Sequence, residues 1–290
     1  MTSDGVREPI PMLTRAPGLI KPYINKRSLW RIAKGAIVLA PLLYFFPKMT
    51  LLFVACGLYD VSRNRNFNFA LVEKYFFGNG VFTWLMSPVN TLMDILALPY
   101  INKGVYKLED LPKPYQDELQ QIIDAVHKED LVRQLQEKAQ AQPRSMFFFK
   151  WYGVNVDTSF DVPAFHTDYK YVKTIGVSVF MKKESTSKHF GPIRPTLRVL
   201  YNINTMTDNS AYIEVGDTVN FWRESKLFIF DDTLLHQSFN ESDNARYCMF
   251  IDILRPSVMP PVFSGIVGAV RIVFKSFNSV FYDKWKVLKP

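Results

Sequence analysis

Cysteine is nearly absent: Cys56 and Cys248 are the only two in 290 residues. One lies in an apolar run and the other in a β-type run, so a disulfide framework is excluded and a reducing surrounding is expected. Histidine is scarce too, at four: His127, His166, His189 and His236. Any metal site must be assembled from very few imidazoles. There is no run of Lys and Arg of the kind that forms a nucleic-acid-binding arm. The net charge of +8 therefore directs attention to anionic lipid, and nucleic acid is not expected as a partner. No internal repeat or low-complexity tract is present. The first 28 residues hold prolines and charges but no apolar core ahead of a small-residue cleavage site, so a cleaved signal peptide is not expected.

Apolar residues make up 48% of the chain and include 24 Phe, enough to bury a sizeable core without staples. Residues 1–28 read as a flexible basic arm. An apolar stretch then runs from Gly35 to Leu58, interrupted only by Pro47-Lys48. Twenty-odd helical residues span about 30 Å of hydrocarbon. A lysine at mid-bilayer, however, costs roughly 2.5–3.5 kcal/mol. A helix broken at Pro47, with two arms folding back, accommodates Lys48 better. Arg27, Arg31 and Lys34 before the stretch, and Arg63 and Arg65 after it, favour a hairpin with both ends cytoplasmic. A core helix pair in a soluble protein is the alternative. A second apolar segment, 81–101, is broken by Pro88 and Pro99 and carries Asp94. It reads as interfacial or re-entrant, with Trp84 and Tyr100 as anchors. Residues 29–106 are thus expected to associate with a membrane lipid surface and to hold the following domain on its cytoplasmic side.

Residues 107–145 form a connector, in which Ile122, Ile123, Val126, Leu131 and Leu135 recur at helical spacing. From 146 to 258 the texture changes to short β-type runs: 147–152, 174–181, 196–203, 211–215, 226–230, 236–240 and 247–254. No crossover helix separates them, which indicates an antiparallel barrel or jelly roll. Residues 259–290 are expected to carry one amphipathic helix with a basic face, over 262–285. The fold class is mainly β: a double-stranded β-helix (jelly roll) domain preceded by an α-helical membrane-associating region.

The stretch richest in chemistry runs from Trp222 to Asn240 and continues through Arg246 to Pro256. An apolar strand ends in Asp231-Asp232, His236 opens the next strand, and Arg246 follows ten residues later. At the mouth of a jelly roll an imidazole can bind a metal and a guanidinium can clamp a carboxylate. An Fe(II) and 2-oxoglutarate site needs a histidine and an arginine so spaced. Asp231 and Asp232 either make turn hydrogen bonds or, for one of the two, orient His236 through its second ring nitrogen. Asp252 reads as structural, Trp151 and Trp222 as core aromatics, and His127 as a solvated surface histidine.

This segment resembles the aspartyl/asparaginyl β-hydroxylases, including their lipid A 2-hydroxylase relatives, in the superfamily of 2-oxoglutarate/Fe(II) dioxygenases. The shared pattern is met at Trp222, Lys226, Phe230, Asp231, Asp232, His236, Asn240, Arg246, Asp252, Arg255 and Pro256. Upstream, Lys188-His189-Phe190-Gly191-Pro192 and Thr196-Leu197-Arg198 resemble the family's H-x-G-P and L-R elements, and Phe149-Lys150-Trp151-Tyr152 its opening strand. The resemblance implies His236 as an iron ligand, with Asp232 beside it in the catalytic group. It implies Arg246 as the 2-oxoglutarate arginine, with Arg198 a second cofactor-binding residue. It also implies a second iron histidine two residues after Arg198, where this chain has Leu200. Three readings follow: His189 is the second ligand; His166 and Asp168 supply an H-x-D pair; or no iron binds, and the domain is a catalytically degenerate, membrane-anchored module that binds a ligand or protein. The resemblance implies hydroxylation of an unactivated C–H bond. The membrane segments make a lipid acyl chain a more natural substrate than a peptide side chain.

Overall fold

In a computed structural model, residues 26–65, 67–128, 131–139, 143–157, 162–275 and 286–287 are described. The arm expected over 1–28 therefore falls almost wholly outside the described residues. Two helices come first, α1 (Lys26–Phe45) and α2 (Pro47–Ser62). The chain breaks at Phe46, and Pro47 stands at the start of α2, where its missing N–H has no helical partner to lose. Asn68 caps α3 (Phe69–Phe77) by accepting a hydrogen bond from the Leu71 amide. Next come α4 (Val81–Leu85), α5 (Ser87–Leu96), the two-residue strand β1 (Val105–Tyr106), and the connector helices α6 (Lys113–Lys128) and α7 (Leu131–Ala139).

The β domain runs through β2 (Arg144–Trp151), β3 (Val154–Asn155), a one-turn helix α8 (Pro163–His166), β4 (Val172–Phe180), β5 (Glu184–Ser185), β6 (Thr196–Asn202) and β7 (Ala211–Val215). It continues through β8 (Thr218–Phe221), β9 (Leu227–Phe230), β10 (His236–Asn240) and β11 (Arg246–Leu254), and is followed by α9 (Pro260–Lys275) and β12 (Lys286–Val287). The larger sheet has the order β1-β9-β6-β11-β4-β2-β12, with β3 paired to β2, and the smaller has β5-β10-β7-β8. From β4 to β11 the chain passes back and forth between the two sheets, so each sheet is an antiparallel interleaving of strands distant in sequence. That is the double-stranded β-helix. Over the whole chain helix outweighs strand, because the helices before and after the barrel are as much a part of the structure as the barrel itself.

Burial explains which strands were easy to foresee. β7 and β10 have one wet face and alternate buried with half-buried residues. β4 and β11 are buried almost throughout, because α6, α7 and α9 cover the outer face of the large sheet. Glu118 of α6 fixes that layer by accepting from the amides of Lys170, Tyr171 and Val172 at 2.8, 2.9 and 3.0 Å. The strands β1, β3, β5, β8 and β12 had no sequence expectation. The single C-terminal helix needs correction: α9 ends at Lys275, residues 276–285 lie outside the described set, and Lys286–Val287 pair in parallel with the edge of β2.

The helical region is welded to the barrel. Arg194, fully buried, reaches Asp60 of α2 at 2.6 Å and Asp94 of α5 at 2.7 Å, and Arg255 also pairs with Asp94. Arg63, just beyond α2, pairs with Asp231 at 2.7 Å. A buried charge must be matched in this way to be tolerated.

Candidate active site

His236 opens β10 at the end of the small sheet, and His189 lies directly opposite it just beyond β5. The two residues exchange both backbone hydrogen bonds at 2.9 Å, and their ring centroids stand 4.3 Å apart. Each Nδ1 sits against a carbonyl: Leu234 at 2.8 Å for His236, and Ser187 at 2.6 Å for His189. A carbonyl only accepts, so each Nδ1 carries the proton and each Nε2 presents a lone pair. Burial lowers the pKa of both rings; for His236 the neighbouring His189 lowers it further. Both imidazoles are therefore held neutral, the form that ligates metal.

Asp232 completes the cluster. Its Oδ1 lies 3.2 Å from Arg198 Nη1 and 3.5 Å from His236 Nε2 but has no hydrogen-bond donor among the described residues, whereas its Oδ2 accepts from Arg198 Nη2 at 3.4 Å. A Cβ on Gly191 would overlap this carboxylate, so glycine in the His-x-Gly turn makes the room that Asp232 occupies. The Gly191 amide donates to the Asp232 carbonyl at 2.7 Å and locks the two loops together. Among the described residues, no three His, Cys, Asp or Glu side chains converge on one point. The metal donors on offer are the histidine pair, with Asp232 at its flank.

These groups line a cavity of about 440 Å³ between the sheets. Arg246 is also in its wall, 1% exposed, at the start of β11. Its Nη2 donates to Ser238 Oγ at 2.9 Å, whereas Nε and Nη1 have no partner among the described residues. The guanidinium is sandwiched near the Phe180 and Trp222 rings, at 4.4 and 5.2 Å, and burial lowers its pKa. A buried cation with idle N–H groups is costly unless an anion joins it. Ser238 follows His236 by two on β10, so both point to one face about 7 Å apart. That separation suits a small dicarboxylate, with one end at the histidines and the other at Arg246. The donor chemistry thus fits both a divalent metal and a dicarboxylate.

Arg198 lines the same cavity but is engaged: its Nε bonds Asp252 at 2.7 Å, and it stacks 3.7 Å over the Phe250 ring. Asp231 turns away from the histidines. Burial would raise its pKa, but Arg63 and Arg194 outweigh that and hold the carboxyl well below the usual range. Leu200 is on the cavity wall, among apolar neighbours. His166 and Asp168 lie outside the cavity lining. Trp222 is a core residue, but Trp151, expected there too, is half-buried on the cavity wall, as is Tyr152. His127 bonds the Tyr201 hydroxyl at 2.8 Å. Sequence reasoning missed Ser238, whose place two residues after His236 was the available signal. It also missed the wall segment from Gly78 to Phe82, which carried no signal at all.

Fold and site together define a double-stranded β-helix protein with a paired-histidine cavity and a buried arginine. Residues 115–256 match the sequence profile described as aspartyl/asparaginyl beta-hydroxylase, and the β domain is of that family. It is 31% identical over 110 residues to the ornithine lipid ester-linked acyl 2-hydroxylase of Rhizobium tropici, covering 38% of this chain and 39% of that protein. It is 29% identical over 85 residues to aspartate beta-hydroxylase domain-containing protein 2 of Rattus norvegicus, covering 28% of this chain and 24% of that one. The matches thus span well under half the length of these relatives. A solved oxidoreductase of the 2OG-Fe(II) oxygenase family from Burkholderia pseudomallei is similar at 11% identity and a TM-score of 0.25. The match covers 32% of this chain and 50% of that one.

Proposed function

We propose that the protein is an Fe(II)- and 2-oxoglutarate-dependent hydroxylase acting on an acyl chain of a membrane lipid. The observation that carries the reading is the buried Arg246, with two idle nitrogens facing a cavity that also holds two Nε2 lone pairs. His189 and His236 would hold the iron, and Arg246 with Ser238 would take the distal carboxylate of 2-oxoglutarate. When bound, this pair of cofactors converts R–H and O₂ to R–OH while 2-oxoglutarate becomes succinate and CO₂. The chain's own contribution is to fix the imidazole tautomers through Leu234 and Ser187, and to hold the Asp232 carboxylate against Arg198 at the flank of the pair. A buried Arg246 with two unpartnered nitrogens among the described residues argues against a degenerate module, since without an anion it only destabilises.

The lipid substrate rests on two supports. One relative, 31% identical over its matched segment, is described as an acyl hydroxylase of a lipid. Around these polar groups the cavity wall includes Met146, Leu200, Ile213, Phe230 and Phe250, which suit an alkyl chain and not a charged peptide side chain. The test is titration calorimetry of the detergent-solubilised full chain with Mn(II), with and without 2-oxoglutarate. Metal uptake that 2-oxoglutarate tightens, and that His236→Ala removes, is the expected result. No uptake by the unaltered chain would end the proposal.

A further inference from the structure

The helices α4 and α5 are inside out. On α5, Ser87, Asn90 and Met93 are buried, while Val89, Leu92 and Ile95 are exposed; on α4, Thr83 is buried while Phe82 and Leu85 are exposed. Thr83, Ser87, Asn90 and Asp94 recur at helical spacing and turn toward the protein. Thr83 Oγ1 donates to the Gly191 carbonyl at 2.9 Å, Asn90 Nδ2 to the Pro192 carbonyl at 3.1 Å, and Asp94 receives Arg194. The opposite stripe, Phe82, Leu85, Val89, Leu92 and Ile95, is 38–59% exposed. A helix in water shows the reverse arrangement. An apolar stripe of this length calls for an apolar medium.

The surroundings specify a lipid bilayer. α1 carries Lys26, Arg31 and Lys34 and no acid, and Lys48 begins α2, whose one acid, Asp60, is buried against Arg194. This side of the molecule therefore offers cations and apolar side chains but no exposed helical carboxylate, complementary to an anionic leaflet. α1 is also the one helix among the described residues long and apolar enough to cross a membrane, over Ser28–Phe45, with none of that stretch buried.

The same helix that carries the stripe is a wall of the cavity: Val81 and Phe82 line it. The wall also holds Trp151, the last residue of β2, and Tyr152, in the turn between β2 and β3. Tyr152 adopts φ 45° beside Gly153 at φ 83°, a left-handed conformation in which an aromatic residue is uncommon. A two-residue hairpin of this type requires positive φ at both central positions, so the turn itself fixes where Tyr152 stands on the wall.

We propose that the α4–α5 stripe lies in the leaflet and that the cavity opens onto it, with Phe82 on one side and Trp151 and Tyr152 on the other. The acyl chain then slides from the bilayer to the histidine pair without crossing water. This rests on the lipid reading above and adds the route and the residues that select the chain. Phe82 is the specificity-determining position, because it belongs both to the stripe and to the wall.

The test uses the full chain in vesicles of phosphatidylethanolamine and phosphatidylglycerol, doped with a phospholipid carrying a diazirine midway along one acyl chain. After irradiation, the label is mapped by peptide mass spectrometry, and Mn(II) binding with 2-oxoglutarate is measured on the same preparation. Label is expected on the 82–95 peptide and on the peptide holding Trp151 and Tyr152. Phe82→Asp should cut the label on the latter at least about tenfold, since a carboxylate at this depth opposes alkyl entry, and Phe82→Leu should restore it. Label confined to α1 and α2, or unchanged at Trp151 and Tyr152 in Phe82→Asp, overturns the route even if metal binds. Label as expected without metal binding supports the route and removes the hydroxylase reading instead.

Discussion

The carboxylate of Asp232 occupies the space that a side chain on Gly191 would need. The glycine of the His-x-Gly turn and the acid four residues before His236 are therefore one device. Gly191→Ala must displace Asp232 and with it the partner of Arg198. Overpacking of this kind costs about 1–3 kcal/mol. A lower midpoint in urea, together with weaker Mn(II) binding, is the expected pair of effects.

Arg246 burdens the fold that holds it. Two of its nitrogens have no partner among the described residues, so Arg246→Met should leave the protein without cosubstrate as stable as before, or more so. Loss of a buried charge-assisted clamp costs about 2–5 kcal/mol of binding. The same variant should therefore weaken 2-oxoglutarate binding by at least about thirtyfold. Thermal melting and calorimetry read the two effects separately, and a destabilised variant would count against a ligand-binding role.

Asp231 ties the helices to the barrel through Arg63 and Arg194. Asp231→Asn should cost about 3–5 kcal/mol at neutral pH, because buried cations lose their counter-charge. Since the folded-state pKa of Asp231 is depressed, its contribution is complete above the unfolded value of about 3.9 and declines as pH falls toward the folded one. Urea melts should therefore show the gap between the two proteins constant from pH 7 to about 4 and narrowing below that.

Thr83 holds the histidine loop from the helical side by its bond to the Gly191 carbonyl. Thr83→Val leaves a buried carbonyl unpaired, at a cost of about 1–3 kcal/mol. Part of that loss should appear as a weaker metal site, about fivefold or more in Mn(II) affinity. Equal metal binding by both proteins would show that the helices merely abut the site.

What could be read from the sequence followed from local pattern. The alternation of 211–215 and 236–240 gave β7 and β10 to the residue, since each has one wet face. The spacing of His236 and Arg246 placed both on strands that face one cavity. The two-residue strand β5 carries no periodicity, so nothing local showed that His189 pairs with His236. Leu200, at the position where the resemblance implies a second iron histidine, is a wall residue. The polar stripe of α5 was hidden because its partners, Pro192, Arg194 and Arg255, lie a hundred or more residues away. Only tertiary contact turns Asp94 from an interruption of an apolar segment into a buried anchor.

The most direct test of the paired-histidine cavity is anaerobic absorption spectroscopy of the full chain with Fe(II) and 2-oxoglutarate. A cosubstrate chelating iron gives a visible charge-transfer band. The unaltered protein should show that band, His236→Ala should lose it outright, and Arg246→Met should need far more 2-oxoglutarate to reach it. A folded, unaltered protein that binds both components without the band, or binds neither, would contradict the account.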